Sequence, residues 1–368
     1  MDKRTTVLLA LMQIDIGGAE THVVVLARHL AELGYRVIVA SNGGRFERVL
    51  EEHGIRHYRV PLHNTKLVSI LKSILLMRRI VRAERVDIIH AHARIPAFVT
   101  AVMGRPKRVR FITTAHSNFM GLRLLTRWGE KTIAVSEDIR EHLINYFRVR
   151  PERIVVIPNG IDTDFFSPGA GDDGEREDGV TRIALVSRLD GKLAEVAVQL
   201  IAACERIYDR HPELRLSIVG DGDGYEAVRV RAGRFNAGRG KEIVTLLGAR
   251  TDVNRIMAGS DLVVGVSRAA LEAMACARPV LLAGSQGFGG LVHPENAGEF
   301  RKDNFTGRSG GRECSVENLT AALLEFFEKS EAWRSETGRF LRRLVEEQYD
   351  SRSMARKVAR VYEEIRKG

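Results

Sequence analysis

Two cations stand close together in Ser187-Arg188-Leu189-Asp190-Gly191-Lys192, just beyond an apolar run at residues 182–186 that reads as a strand. Fixed positive charge at a strand end can hold a diphosphate and offset the charge that grows on it as a bond to a phosphate oxygen breaks. One such contact at ~4 Å is worth up to about 4 kcal/mol at an effective dielectric near 20. By themselves, Arg188 and Lys192 read equally as solvated surface charges. A second place for an anion is Gly17-Gly18, between the first strand-like run and a helical pattern that begins near Glu20. Glycines let the backbone approach a phosphate, and a helix start presents free N–H groups. The bland reading is a tight strand-to-helix turn, and the absence of G-x-G-x-x-G counts against a dinucleotide dehydrogenase.

Three histidines invite a metal reading. His90 and His92 lie two apart at a strand end, and His116 ends a later strand-like run. No cysteine or carboxylate stands as an obvious fourth ligand, and the expectation is no metal site. Asp162-Thr163-Asp164 and Asp221-Gly222-Asp223 are short enough to bind a divalent cation, but both sit in turn-forming stretches. Glu272, in Leu271-Glu272-Ala273-Met274-Ala275, sits near a helix start, where its carboxylate can accept hydrogen bonds from a pair of hydroxyls.

These groups need a scaffold. At 368 residues the chain exceeds a usual single core, so two domains are expected. Short apolar runs alternate with helical patterns along both halves, which argues for parallel sheets covered on both faces, with ligands at the carboxyl ends of the strands. The stretch from Thr132 to Pro168 reads as the seam, with Ser136 a candidate N-cap ahead of Glu137 and Asp138. The expected division is 1–165, an acidic glycine-rich linker at 166–180, a second α/β domain at 181–350, and a terminal helix at 351–368.

All of the net charge of +10 falls on residues 1–165, which carry 26 Lys and Arg against 16 Asp and Glu; the remainder balances at 31 against 31. A one-sided basic field draws nucleic acid, anionic lipid or phosphorylated small molecules. Residues 66–85 form a basic amphipathic pattern, with Lys72, Arg78, Arg79 and Arg82 on a helix that also carries Leu67, Leu71 and Leu75. It fits either an anionic membrane surface or an ordinary core helix with a solvated face. Cys204, Cys276 and Cys314 are widely spaced, so neither a disulfide framework nor a zinc knuckle is indicated, and a reducing cytoplasm fits. The opening residues read as a first strand, and no run approaches a membrane span.

The pattern Val135-Ser136-Glu137, Ile157 to Asp162 and Pro168, together with GGAETHV, SRLDGK, IVGDGDG, LLGAR and LEAMACARPV, resembles the family 4 retaining glycosyltransferases, the glycosyl transferases group 1, which have the GT-B fold. The resemblance implies two Rossmann-like domains facing a cleft that holds a nucleotide sugar, with the terminal helix crossing back to the first domain. Arg188 and Lys192 then meet the donor diphosphate, His116 meets the donor sugar, and Glu272 takes the ribose hydroxyls. Gly17, Gly18, Gly220, Gly222, Gly248 and Arg250 line the donor site, and Lys72, Arg78, Arg79 and Arg82 face the acceptor or membrane.

The resemblance also implies a cytoplasmic enzyme without metal or cofactor, with UDP-sugars favoured as donors. Its acceptor is a glycan or lipid-linked group in cell-envelope or surface polysaccharide synthesis, reached by peripheral contact with the inner membrane face; no nucleic-acid partner is expected. The chain departs from the family at two places. Val264 stands where the first glutamate of the paired motif belongs, and the stretch from Ser260 to Glu272 is about six residues short, so Arg268 and the backbone of Gly284-Ser285-Gln286-Gly287-Phe288-Gly289-Gly290 are candidates to replace the lost contacts. Two readings stay open beside the transferase: a non-catalytic nucleotide-sugar binder and a nucleotide-sugar epimerase on the same fold.

Overall fold

The structure, a computed structural model, describes residues 4–367 apart from Ile16, Leu122, Leu124, Leu125 and residues 171–178. Most of the expected linker therefore lies outside the described residues. The chain divides into two units, Met1–Gly160 with Ser351–Gly368, and Ile161–Asp350.

In the first unit the order is β1 (Thr6–Ala10), α1 (Gly18–Glu32), β2 (Arg36–Ser41), α2 (Glu47–Glu52), β3 (Arg56–Arg59), α3 (Leu67–Ala83), β4 (Ile88–Ala91), α4 (Arg94–Val102), β5 (Arg110–Ala115), β6 (Lys131–Ala134), α5 (Glu137–Asn145) and β7 (Ile154–Val156). Its described strands form one parallel sheet in the order β3-β2-β1-β4-β5-β6-β7. Helices lie on both faces, so the central strands are apolar throughout; every residue of β1 and β4 is buried. Chain order reverses between β1 and β4, and a crevice opens at such a reversal, beyond the carboxyl ends of the two strands.

The second unit runs β8 (Thr181–Val186), α6 (Lys192–Ile207), β9 (Leu214–Val219), α7 (Tyr225–Arg239), β10 (Val244–Gly248), α8 (Val253–Ala258), β11 (Leu262–Gly265), α9 (Arg268–Ala275), β12 (Val280–Gly284), β13 (Gly287–Leu291), α10 (Ala297–Phe300), α11 (Val316–Glu328) and α12 (Glu331–Gln348). The sheet order is β10-β9-β8-β11-β12-β13, parallel except for the antiparallel β12–β13 pair. Here the reversal lies between β8 and β11.

Helix α13 (Ser351–Lys367) belongs to the first unit. Met354, Val358, Val361, Tyr362 and Ile365 recur at helical spacing and are buried with Leu26 and Leu30 of α1 and with Val7 and Leu9 of β1. Each such side chain contributes about 1.5–3 kcal/mol by leaving water. Ser351 Oγ lies 2.9 Å from His29 Nε2, and the Tyr362 hydroxyl 2.8 Å from His90 Nδ1.

Two local expectations fail. Ser136 does not cap α5 with its side chain; its hydroxyl donates to the Asp138 carboxylate, a stronger acceptor two residues on. The glycine-rich stretch expected to leave free backbone N–H groups is a buried hairpin. Gly284 pairs with Gly287 and Ala283 with Phe288, while the Phe288 N–H donates to the Arg312 carbonyl at 2.9 Å. Its backbone is committed to the sheet.

Candidate active site

In the second unit the loops after β8, β9 and β10 are laced together. Ser187 N–H donates to the Val219 carbonyl, Leu189 N–H to Asp221, Gly224 N–H to Leu189 and Gly220 N–H to Gly248, all at 2.8–3.1 Å. Gly220 and Gly222 make the lacing possible, because both have positive φ and both press against neighbouring backbone. A Cβ on Gly220 would meet the Ser187 carbonyl oxygen at 1.8 Å, and one on Gly222 the Leu189 carbonyl carbon at 2.6 Å. Gly248 also has positive φ but faces open space.

Arg188 and Lys192 ride on this platform. Arg188 is largely exposed, with Nη1 3.4 Å from Asp190 Oδ2, and Lys192 is the exposed first residue of α6. Both keep their charge hydrated, whereas the helix-start N–H groups beside them are engaged: Gly191 donates to Asp223 Oδ1, Leu193 to the Asp190 carbonyl and Ala194 to the Gly191 carbonyl, so the side-chain charges are what can receive a diphosphate here. Arg250 is committed elsewhere: its guanidinium makes a two-bond fork on Asp252 at 2.8 and 2.6 Å, which neutralises the charge expected beside the base. The Asp-x-Asp strings serve loops. Asp223 Oδ1 accepts the Gly191 N–H at 3.0 Å, and Asp162 Oδ1 accepts those of Asp164 and Phe165.

Across the reversal, β11 passes into α9 through Val266 and Ser267 alone, with Ser267 at φ 53°. Val264 is buried within β11. Glu272 is not at a helix start but one turn in, and its Oε1 lies 2.7 Å from Arg268 Nε, with each side chain about a tenth exposed (12% and 11%). Burial raises the Glu272 pKa, and the Arg268 charge partly opposes this. The two candidates from sequence are thus each other's partners, at i and i+4 on one helix.

The first unit holds a cavity of about 570 Å³ at the carboxyl ends of β1, β4 and β5. Leu11, Met12, Ile70, Ile95, Phe98, Phe119 and Trp128 give it apolar walls, and His92, His116, Arg94, Arg127 and Glu20 give it polar ones. His116 therefore does reach a site. His90 does not line it; its two ring nitrogens are spent on Tyr362 and Thr114. His22, on the buried stripe of α1, was not singled out by sequence and joins His92 and His116 instead. A histidine at a buried position of an apolar stripe is the signal that marks it. Burial holds the His90 pKa down at about 3 and His116 at about 4, and pushes His92 well below the ordinary range, so all three rings are neutral at pH 7.

Gly17 caps α1, its carbonyl accepting from the Thr21 N–H and hydroxyl, and Gly18 is open. The Glu20 carboxylate lies against Gly17, so an anion at this helix start must displace it. On α3, Leu67, Val68, Leu71 and Leu75 are exposed beside exposed Lys72, Arg79 and Arg82. Arg78 is different: its Nε donates to the Met103 carbonyl at the end of α4, which makes it a helix-end tie rather than a free contact for lipid.

Two Rossmann-like parallel-sheet units in one chain are the architecture of the GT-B class. A glycosyltransferase structure from Rickettsia africae ESF-5 is similar at TM-score 0.78 and 20% identity, covering 99% of each chain, which shows the fold. A model described as Glycosyltransferase Family 4 matches residues 16–165, and one described as Glycosyl transferases group 1 matches residues 181–305. Between them they take in most of the chain, and the protein belongs to this family of glycosyltransferases. Among curated relatives, the phosphatidylinositol N-acetylglucosaminyltransferase gpi3 subunit of Schizosaccharomyces pombe is 29% identical over 56% of this chain. The match spans about half (48%) of that relative's length. The UDP-Gal:alpha-D-GlcNAc-diphosphoundecaprenol alpha-1,3-galactosyltransferase of Escherichia coli is 25% identical over 70% of this chain and 73% of its own. Among the described residues no helix is long and apolar enough to cross a membrane.

Proposed function

We propose that the protein is a retaining, metal-independent glycosyltransferase that moves a sugar from a nucleotide sugar, a UDP-sugar in the first instance, to a glycan or lipid-linked acceptor in cell-envelope or surface polysaccharide synthesis. One observation carries the reading: Arg188, on the loop after β8, and Lys192, at the start of α6, stand hydrated beside the loop after β9, whose Gly220 and Gly222 allow backbone to approach backbone too closely for any side chain. The two cations offset charge on the departing nucleoside diphosphate, and the acceptor attacks the face that the leaving group vacates. His116 offers the transferring sugar one hydrogen bond from a neutral ring. Catalysis is then electrostatic and positional, with no protein nucleophile.

The acceptor belongs on the first unit, where the cavity lies and where residues 1–165 carry an excess of ten positive charges. The exposed apolar face of α3, bordered by Lys72, Arg79 and Arg82, supports peripheral contact with an anionic membrane on its cytoplasmic side. The E. coli relative's name pairs a UDP-sugar with a diphosphoundecaprenol acceptor, which is consistent with this choice.

A non-catalytic binder remains the second reading, favoured by the two-residue β11–α9 connection and by the Glu272 carboxylate being taken up by Arg268. The experiment is a donor panel of UDP-, GDP- and ADP-sugars with EDTA present, following thermal stabilisation and release of nucleoside diphosphate. Selective stabilisation with EDTA-resistant release supports the transferase. Binding without release, with or without candidate acceptors, selects the second reading.

A further inference from the structure

Imidazoles are concentrated at the carboxyl ends of β4 and β5. Ring centroids are 4.0 Å apart for His90 and His92, 5.0 Å for His22 and His116, 5.5 Å for His92 and His116, and 5.7 Å for His22 and His92. His90 is fixed through both ring nitrogens and packs against His92 from behind. The other three rings each present a nitrogen, and these atoms all lie within 4.8 Å of one another. The His92 Nδ1 to His116 Nε2 separation is 3.2 Å. A tetrahedral ion with metal–nitrogen bonds of ~2.0–2.1 Å sets its ligand nitrogens about 3.3 Å apart, so one edge of the polyhedron is already at length.

The His92 Nδ1 to His116 Nε2 contact is also a hydrogen-bond distance, while the other His92 nitrogen, Nε2, is buried with no hydrogen-bond partner among the described residues, so this ring is held by less hydrogen bonding than a buried imidazole usually has. We infer that His22, His92 and His116 form a zinc-binding site in the wall of the first unit's cavity, with a fourth position open to that cavity. Three neutral nitrogens suit zinc and its late-transition neighbours, whereas magnesium and calcium require oxygen. Tyr362 and Thr114 act behind the three rings, orienting His90 and through it His92.

One consequence rests on the transferase reading. A zinc ion on His116 removes that ring from the transferring sugar, so zinc inhibits transfer whereas EDTA leaves it intact.

The direct test needs no substrate. The protein, stripped with a chelator, is titrated with zinc by calorimetry, and bound metal is counted by atomic spectroscopy after gel filtration. The expected result is one zinc per chain at micromolar affinity or tighter, no uptake of magnesium, and intense visible bands from a tetrahedral cobalt complex. His116→Gln and His22→Ala should each weaken zinc binding by about tenfold or more, whereas His63→Ala, at an exposed histidine, should not. Far-UV dichroism checks folding, and His116 is the less buried of the two, so its variant serves if His22→Ala unfolds. Absence of zinc binding by the wild type at micromolar metal, or binding unchanged in His116→Gln, overturns the assignment. The donor panel reports separately on the transferase reading.

Discussion

The two units hold their candidate groups in opposite electrostatic settings. In the first, His22, His90 and His92 are buried in the core at the cavity, and burial keeps the His90 and His92 rings neutral. In the second, Arg188 and Lys192 are exposed and charged, and the one candidate carboxylate, Glu272, is buried against Arg268. Exposed cations can be removed without disturbing the fold, whereas imidazoles that belong to the core cannot. Chemistry and stability should therefore separate cleanly in the second unit's loops, and be entangled in α9 and in the first unit's histidines.

The largest effect is expected where a buried charge loses its partner. Arg268→Ala strips Glu272 of its ion pair and should cost about 3–5 kcal/mol. The two tryptophans make the measurement specific, because Trp128 lies in the first unit and Trp333 in the second. In a Trp128→Phe background, the urea midpoint reported by Trp333 should fall. If that midpoint does not move, the pair is not buried as described. Next comes Arg188→Ala with Lys192→Ala, which should lower transfer by about 10²–10³-fold, the scale of losing a preorganised donor to developing charge. The Trp333 midpoint should stay within about 0.5 kcal/mol of wild type, as for ordinary surface changes. Lost stability alongside lost activity would break the contrast.

Acid should act on His90 and Glu272 with opposite sign. The folded-state pKa of His90 is about 3, far below the ~6.5 of an unfolded chain, so the unfolded state binds more protons between those values. Stability from this group is present above pH ~6.5 and is lost as pH falls; at pH 5 the loss is about 2 kcal/mol. Glu272 is raised, so its folded state holds a proton more readily than the unfolded chain, and its contribution falls as pH rises through and above the usual carboxylate range. Single-tryptophan variants unfolded in urea at pH 7 and pH 5 should show Trp128 losing stability on acidification, and Trp333 losing less. Equal losses would contradict the histidine burial.

Much of this was legible in sequence. Alternating apolar runs marked both sheets, and the spacing of Met354, Val358, Tyr362 and Ile365 marked a helix with one face to bury. Gly220 and Gly222 were readable as special because turn chemistry and close approach both demand glycine. What was hidden depended on partners distant in sequence. The stretch around Gly287 reads as loop because glycine disfavours strands, yet it becomes β13 because the Gly307–Gly311 segment packs so near that a Cβ on Gly287 would meet the Gly307 carbonyl oxygen at 2.4 Å. The histidine cluster was half visible: the period-two spacing of His90 and His92 put them on one face, but β4 is so enclosed that His90 went to Tyr362, and only the packing of α1 could bring in His22. Glu272 and Arg268 were read separately because each had a ligand in prospect, although their i, i+4 spacing already made them a pair.

The smallest effect tests the tie between α13 and the cavity wall. Tyr362 is fully buried and its hydroxyl lies 2.8 Å from His90 Nδ1, so Tyr362→Phe keeps the packing of the ring and removes one hydrogen bond. His90 Nδ1 is left buried without that partner, which should cost about 1–2 kcal/mol, more than the net worth of an exposed hydrogen bond and far less than a lost aromatic ring. The expected outcome is a lower urea midpoint by Trp128 in a Trp333→Phe background, with the Trp333 midpoint unchanged in the converse background. The histidines then belong to the first unit's stability alone. A shift of both midpoints together would mean that the units unfold as one, and the contrast drawn from their separate cores would have to be given up.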